Sequence, residues 1–95
     1  MIETVTFRLA AETDEAVFLD ADRRVQTEFF YRRPGLLRRT TARDGHGDWI
    51  VITIWRSESD AEAASGLSEH DGAMSALAAL VDETTVRSQR WSTLD

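Results

Sequence analysis

Two histidines are the side chains of this sequence that ordinarily titrate near neutrality. His70 stands between Glu69 and Asp71, near the junction of two helical stretches, where a chain can turn toward a cavity. It is the first candidate for a general acid or base. The other reading is a solvated histidine at a helix start. His46 lies within Asp44-Gly45-His46-Gly47-Asp48, a turn composition, and reads as an exposed loop residue. No Glu-x-x-His or His-x-x-x-His spacing links the two, so no metal site is expected. The chain has no cysteine, which removes disulfides, Cys-ligated zinc and iron–sulfur clusters. It has no lysine either, so no Schiff base can form. No glycine-rich phosphate loop and no nucleophile elbow occurs. The expectation is chemistry without a cofactor, or no chemistry.

The remaining candidates are aromatic or cationic. Trp49, Trp55 and Trp91 could stack on a flat ligand, Trp55 and Trp91 as cavity walls, or could fill a core or an interface. Tyr31 closes a helix beside Arg32 and Arg33, and its hydroxyl could orient a substrate oxygen or face water. Arg38 and Arg39 are neighbours on a strand, so one of them points inward or to an interface. A buried arginine needs an acid or an anionic ligand. Arg38 is the one assigned to substrate, as the partner of a developing oxyanion. The same reasoning extends to Arg87 and Arg90. Asp20 and Asp22 flank Ala21 on a helix and read as a solvated face.

The elements that must position these residues follow from periodicity. Ile2 to Leu9 alternates as a strand, with Val5, Phe7 and Leu9 on one face. Thr13 is a plausible N-cap for a helix with Phe18, Ala21, Val25 and Phe29 at helical spacing, stopped by Pro34-Gly35. Leu36 to Arg43 is a polar strand, and Trp49 to Trp55 a strand apolar on both faces. Ser57 and Asp60 form a capping box for an alanine-rich helix that Gly66 weakens. Ser68 or Asp71 can cap a second helical piece through Val81, and Thr84 to Leu94 reads as the last strand.

The order is β-α-β-β-α-β, an α+β ferredoxin-like domain over residues 1–95 with a four-stranded antiparallel sheet. Two helices cover one face of such a sheet. The other face, apolar along the third strand, calls for a partner, and a sheet-to-sheet homodimer is expected. The 42% hydrophobic and 29% charged fractions exclude a disordered chain. The net charge of −6 argues against nucleic acid as a partner. No apolar run is long enough to span a bilayer and no signal segment opens the chain, so a cytoplasmic protein with no membrane contact is expected.

Three stretches, Phe29-Phe30-Tyr31-Arg32-Arg33-Pro34-Gly35-Leu36-Leu37-Arg38-Arg39, Asp44-Gly45-His46-Gly47-Asp48-Trp49, and Ile54-Trp55-Arg56-Ser57 with Asp60-Ala61, resemble one family in order and spacing. It is the antibiotic biosynthesis monooxygenase-like (ABM) group of dimeric α/β barrels. The resemblance implies a ferredoxin-like fold, a face-to-face homodimer, and a pocket between sheet and helices. It implies a cofactor-free monooxygenase binding a small aromatic, polyketide-like or quinone-like compound, or else a non-catalytic or stress-associated ligand-binding dimer. It also places a histidine near His70 in some active members. The sequence departs from the pattern in having no asparagine, a residue common in the pockets of cofactor-free and haem-degrading members. Phe7 falls where haem-degrading members carry theirs, and the second helical region lacks their tryptophan.

Overall fold

The computed structural model describes residues 1–95. Strand β1 (Ile2–Leu9) leads to helix α1 (Glu15–Glu28), a 3-10 turn (Phe30–Arg32), the hairpin β2 (Leu36–Arg43) and β3 (Trp49–Trp55), helices α2 (Glu58–Ser68) and α3 (Gly72–Ala78), and β4 (Val81–Trp91). The strands make one antiparallel sheet in the order β2-β3-β1-β4. This is the expected ferredoxin-like arrangement, with the second helical region in two pieces.

Local chemistry sets the boundaries. Asp14, not Thr13, caps α1, its carboxylate accepting from the Ala16 amide at 2.9 Å. Thr13 instead donates to the Leu80 carbonyl at 3.4 Å. The helix stops at Phe29, ahead of the Arg32-Arg33 pair, because the chain tightens there into the 3-10 turn. Ser57 caps α2 as a box: its hydroxyl accepts from the Asp60 amide and donates to the Asp60 carboxylate. Gly66 does not end α2. The break falls at Glu69 and His70, and Asp71 then caps α3 through the Met74 amide. Strand β4 begins at Val81, which pairs with Leu9, earlier than the pattern from Thr84 indicates.

Gly35 turns the chain from the 3-10 turn into β2 at φ +82°. A β-carbon there would fall on the Asp60 carboxyl, the other half of the α2 cap. Gly35→Ala therefore combines a left-handed backbone with a collision, and lowers stability by roughly 1–3 kcal/mol. Urea unfolding measures this; an unchanged midpoint would contradict the packing of Gly35 against α2.

In the β2–β3 hairpin the Asp44 carboxylate accepts from the amides of His46 at 2.8 Å and Asp48 at 3.0 Å. Those two bonds hold its pKa below the ordinary aspartate value of 3.8. The folded carboxyl is thus the stronger acid. Its contribution is present above the unfolded pKa and is lost as the pH falls through the lower, folded value. Amide exchange at His46 and Asp48 should accelerate selectively below about pH 3.8. Equal acceleration along the flanking strands would show that the turn carboxylate is not the cause.

Alternation along β3 separates two apolar faces. Trp49, Val51, Thr53 and Trp55 are buried and face the helices, while Ile50, Ile52 and Ile54 are half-buried on the open side. The core under α1 joins Phe7, Phe18, Trp49 and Val51. Phe18 is fully buried, its ring 5.6 Å from Phe7 and 4.8 Å from Trp49 between centroids. A second cluster joins Trp55 to Ala61 and Ala64 of α2.

Candidate functional site

Between these two clusters the helices stand off from the sheet and leave a cavity of about 400 Å³. The cause lies in α2. Its inward positions Ala61, Ala64, Ser65 and Ser68 recur at helical spacing, and all are small. Met74, Leu77 and Ala78 of α3 close one side, and Phe29 and Phe30 close the end near the 3-10 turn. The sheet supplies Val5, Phe7, Val51 and Trp55, with Val81 and Val86 from β4. Of 19 lining residues 13 are hydrophobic, so polar groups there are few and informative.

Apart from Ser65 and Ser68 of α2 and Glu83 of β4, those polar groups fall, with Arg90 beside them, in one row across the sheet. Arg39 of β2 pairs with Thr53 of β3, Thr53 with Glu3 of β1, and Glu3 with Arg90 of β4. All four project from the helix-facing side, and Arg39, Thr53 and Glu3 line the cavity floor. A cation, a hydroxyl and a carboxylate therefore lie side by side in an apolar chamber.

Arg39 is held from α1. Its side chain is 2% exposed, and its Nη2 donates to the Asp22 carboxylate. Nη1 donates to the Gln26 amide oxygen at 3.1 Å. The second Asp22 oxygen accepts from the Thr41 hydroxyl at 2.8 Å. The guanidinium lies over Phe30, 4.7 Å from the ring centroid. Glu3 is fixed differently. Arg90 Nε donates to its Oε2 at 3.1 Å, and the same guanidinium reaches Glu62 of α2 at 3.7 Å and Glu58 at 4.0 Å. This cluster, partly open to water, marks one edge of the chamber.

The sequence-based candidates are distributed as follows. Trp55 lines the cavity and is 1% exposed. Arg38 does not line it: it lies opposite Ile54 on the open face. A register shift between Leu36 and Arg38 displaces β2 by one residue, and it is Arg39 that turns inward. Tyr31 is 61% exposed on the 3-10 turn, its hydroxyl accepting from Gln26 at 2.6 Å, and it is outside the cavity. Trp91 extends along the open face, its indole N–H donating to the Thr4 hydroxyl at 3.2 Å. His70 occupies the exposed turn between α2 and α3, two residues past Ser68, and is not a lining residue. The α2–α3 break faces it outward, because Asp71, not His70, turns in to cap α3. Asp22 is buried rather than on a solvated face.

Sequence reasoning missed Glu3 and the partnership of Asp22 with Arg39. Glu3 breaks the apolar parity of β1, standing on the same face as Val5 and Phe7. That break in parity is one signal. The small residues of α2 were a second, since a helix face of alanines and serines against a strand rich in bulky side chains leaves space.

No protein-family model and no curated protein matches the sequence. Solved structures do match. SnoaB, a cofactor-independent oxygenase from Streptomyces nogalater, superimposes with a TM-score of 0.81 at 21% identity, over 99% of this chain and 92% of that one. A proposed antibiotic biosynthesis monooxygenase from Nitrosomonas europaea gives 0.77 at 17% identity, over 99% and 98%. A similarly described protein from Deinococcus radiodurans gives 0.69 at 16% identity, over 99% and 92%. Identities this low speak for the fold and not for a shared reaction. With its split-βαβ order, its sheet topology and a chamber between sheet and helices, the chain has the fold of the antibiotic biosynthesis monooxygenase-like domains.

Proposed function

We propose that this chain is a cofactor-independent oxygenase that binds a small, flat, apolar or aromatic compound of polyketide or quinone type, and that it works as a homodimer joined through the open sheet face. The supporting observation is the largely apolar chamber with Arg39, Thr53 and Glu3 in a row across its floor. SnoaB, of the same fold, is a cofactor-independent oxygenase.

The chemistry suits such a chamber. A methylene flanked by conjugated rings loses a proton to Glu3, whose Oε1 has no partner in the Arg90 pair. The carbanion reduces dioxygen and forms a carbon–oxygen bond, giving a peroxide that takes up a proton. Loss of water from that hydroperoxide leaves a carbonyl. One dioxygen and one methylene give one carbonyl and one water, with no electron supplied from elsewhere. Apolar walls exclude water from the carbanion, and the protein's part is to bind, deprotonate and orient.

Oxygen consumption with an anthrone tests this reading. Uptake is expected in the wild type, with Glu3→Gln at least about a hundredfold slower, the lower end of the usual range for a positioned base. A second reading is favoured by one observation: both histidines are exposed and lie outside the chamber. In that reading the protein binds the compound without turning it over. Thermal stabilisation by anthrones and quinols with no oxygen uptake would support it; neither stabilisation nor uptake would overturn both.

A further inference from the structure

Strand β4 does not keep one register against β1. Val81 and Asp82 pair with Leu9 and Arg8, and Arg87 to Trp91 pair with Thr6 to Ile2. Glu83, Thr84, Thr85 and Val86 therefore stand against Phe7 alone, a bulge with three residues in excess. An odd excess inverts the alternation of everything beyond it. Val81 faces the helices beside Leu9, yet farther along it is Arg90 that faces them, beside Glu3, while Trp91 lies on the open side. If the register of Val81 and Asp82 ran on, Arg87 would meet Glu3, and Val86 would stand opposite Thr4 on the open face. Arg90 and Trp91 would then pass the start of β1. The bulge thus decides which arginine reaches Glu3 and on which face Val86 lies.

One hydroxyl pins the bulge. Thr85 Oγ1 accepts from the Arg8 amide at 2.8 Å, where a regular ladder would offer a β4 carbonyl, and donates to the Asp82 carbonyl at 2.6 Å. It ties the bulge across to β1 and back to its own start. Asp82 folds the first turn, its carboxylate accepting from the Thr84 amide at 3.1 Å and the Thr84 hydroxyl at 2.7 Å. Glu83 and Val86, on either side of the two threonines, line the chamber, and Val86 packs on the cluster of Phe7, Phe18 and Trp49. Resting on the reading of Glu3 as the base, we propose that Thr85 is a positioning residue of the site. Its hydroxyl fixes the bulge, the bulge sets the register that brings Arg90 to Glu3, and Arg90 orients the carboxylate. Arg90 holds Oε2 and is itself braced by Glu62 and Glu58 of α2, which leaves Oε1 for a substrate proton. Thr85 does not line the chamber, so its effect passes through the strand. Displacing a base by about 1 Å can lower a rate by about a hundredfold.

Two substitutions at Thr85 separate the hydroxyl from the side chain's shape. Thr85→Val keeps the shape and removes the hydroxyl; Thr85→Ser keeps the hydroxyl. Oxygen uptake with an anthrone, in variants checked for folding by circular dichroism, is expected to show kcat about tenfold or more lower in Thr85→Val, with KM changing less. Thr85→Ser is expected to restore most of that loss. Arg90→Gln distinguishes positioning from a general weakening of the fold. In the Arg90→Gln background, Thr85→Val is expected to lower kcat by less than about twofold more, because the route to Glu3 is already cut. Amide exchange reads the pin without turnover. The Arg8 amide should exchange several-fold faster in Thr85→Val, the loss of about one hydrogen bond, and at the wild-type rate in Thr85→Ser. Full kcat in Thr85→Val, an equal loss in Thr85→Ser, or the same fold-loss with and without Arg90 would overturn the positioning role and leave Glu3 as the base. Unchanged Arg8 exchange in Thr85→Val would overturn the pin itself. No uptake by the wild type would overturn the reading of Glu3, and the role of Thr85 with it.

Discussion

Asp22→Ala lowers the unfolding free energy by about 3–5 kcal/mol, the range found when a buried ion pair loses one member. The Arg39 charge then stays in place, 2% exposed, with no carboxylate, and Thr41 loses its acceptor. A domain of this size is stable by about 5–15 kcal/mol, so the urea midpoint should fall by about a fifth or more. A loss below about 1 kcal/mol, the typical effect for exposed pairs, would mean that water reaches the guanidinium. Replacing both partners separates stability from recognition. Asp22→Leu with Arg39→Met is expected to be near neutral for stability, because the desolvation of two charges is relieved together. The same double variant removes one polar group from the chamber floor, so its thermal stabilisation by anthrones should change. If it matches wild type in stability and is stabilised by anthrones to the same extent, Arg39 is structural only.

The second large effect concerns the open face. Ile50, Ile52 and Ile54 form its middle, paired across the sheet with Thr6, Thr4 and Ile2 of β1, and Trp91 lies half-exposed beside Ile2. Ile52→Asp places a charge at the centre of this surface. If two copies meet there, the carboxylate is desolvated without a partner, at a cost of several kcal/mol. The dimer should weaken by about a hundredfold or more. Analytical ultracentrifugation at micromolar concentration is expected to give a dimer for wild type and a monomer for the variant. A wild-type monomer, or a variant that remains dimeric, contradicts the sheet-to-sheet association. Ile52 does not line the cavity, so a folded monomer keeps the chamber walls contributed by its own chain.

The sequence carried the architecture further than the site. Strands β1, β2 and β3 fall on the expected bounds: β1 has one apolar face, β3 has two, the polar β2 lies between Pro34-Gly35 and the glycine turn, and each has a clear stop, Ala10, Asp44 and Arg56. Helix ends were less legible. Thr13 and Asp14 are both good caps, and the choice depends on a contact with Leu80 far along the chain. The site turned on parity. Arg38 and Arg39 are equivalent in a period-2 pattern, and a one-residue shift in β2 decides which of them is buried. His70 stands out by its chemistry, whereas its position is fixed by the competing claim of Asp71 on the α3 cap. Glu3 had no motif around it. It becomes a site residue only when β1 lies in the middle of the sheet with Thr53 on one side and Arg90 on the other.

Methyl-detected NMR with an anthrone addresses the central claim most directly, since the two apolar faces carry different methyl groups. Shifts are predicted at Val51, Met74, Leu77 and Val86, which line the chamber, with Ile50, Ile52 and Ile54 on the opposite face unmoved. Shifts confined to those isoleucines, with the chamber methyls unchanged, would place the ligand on the open sheet and contradict the account.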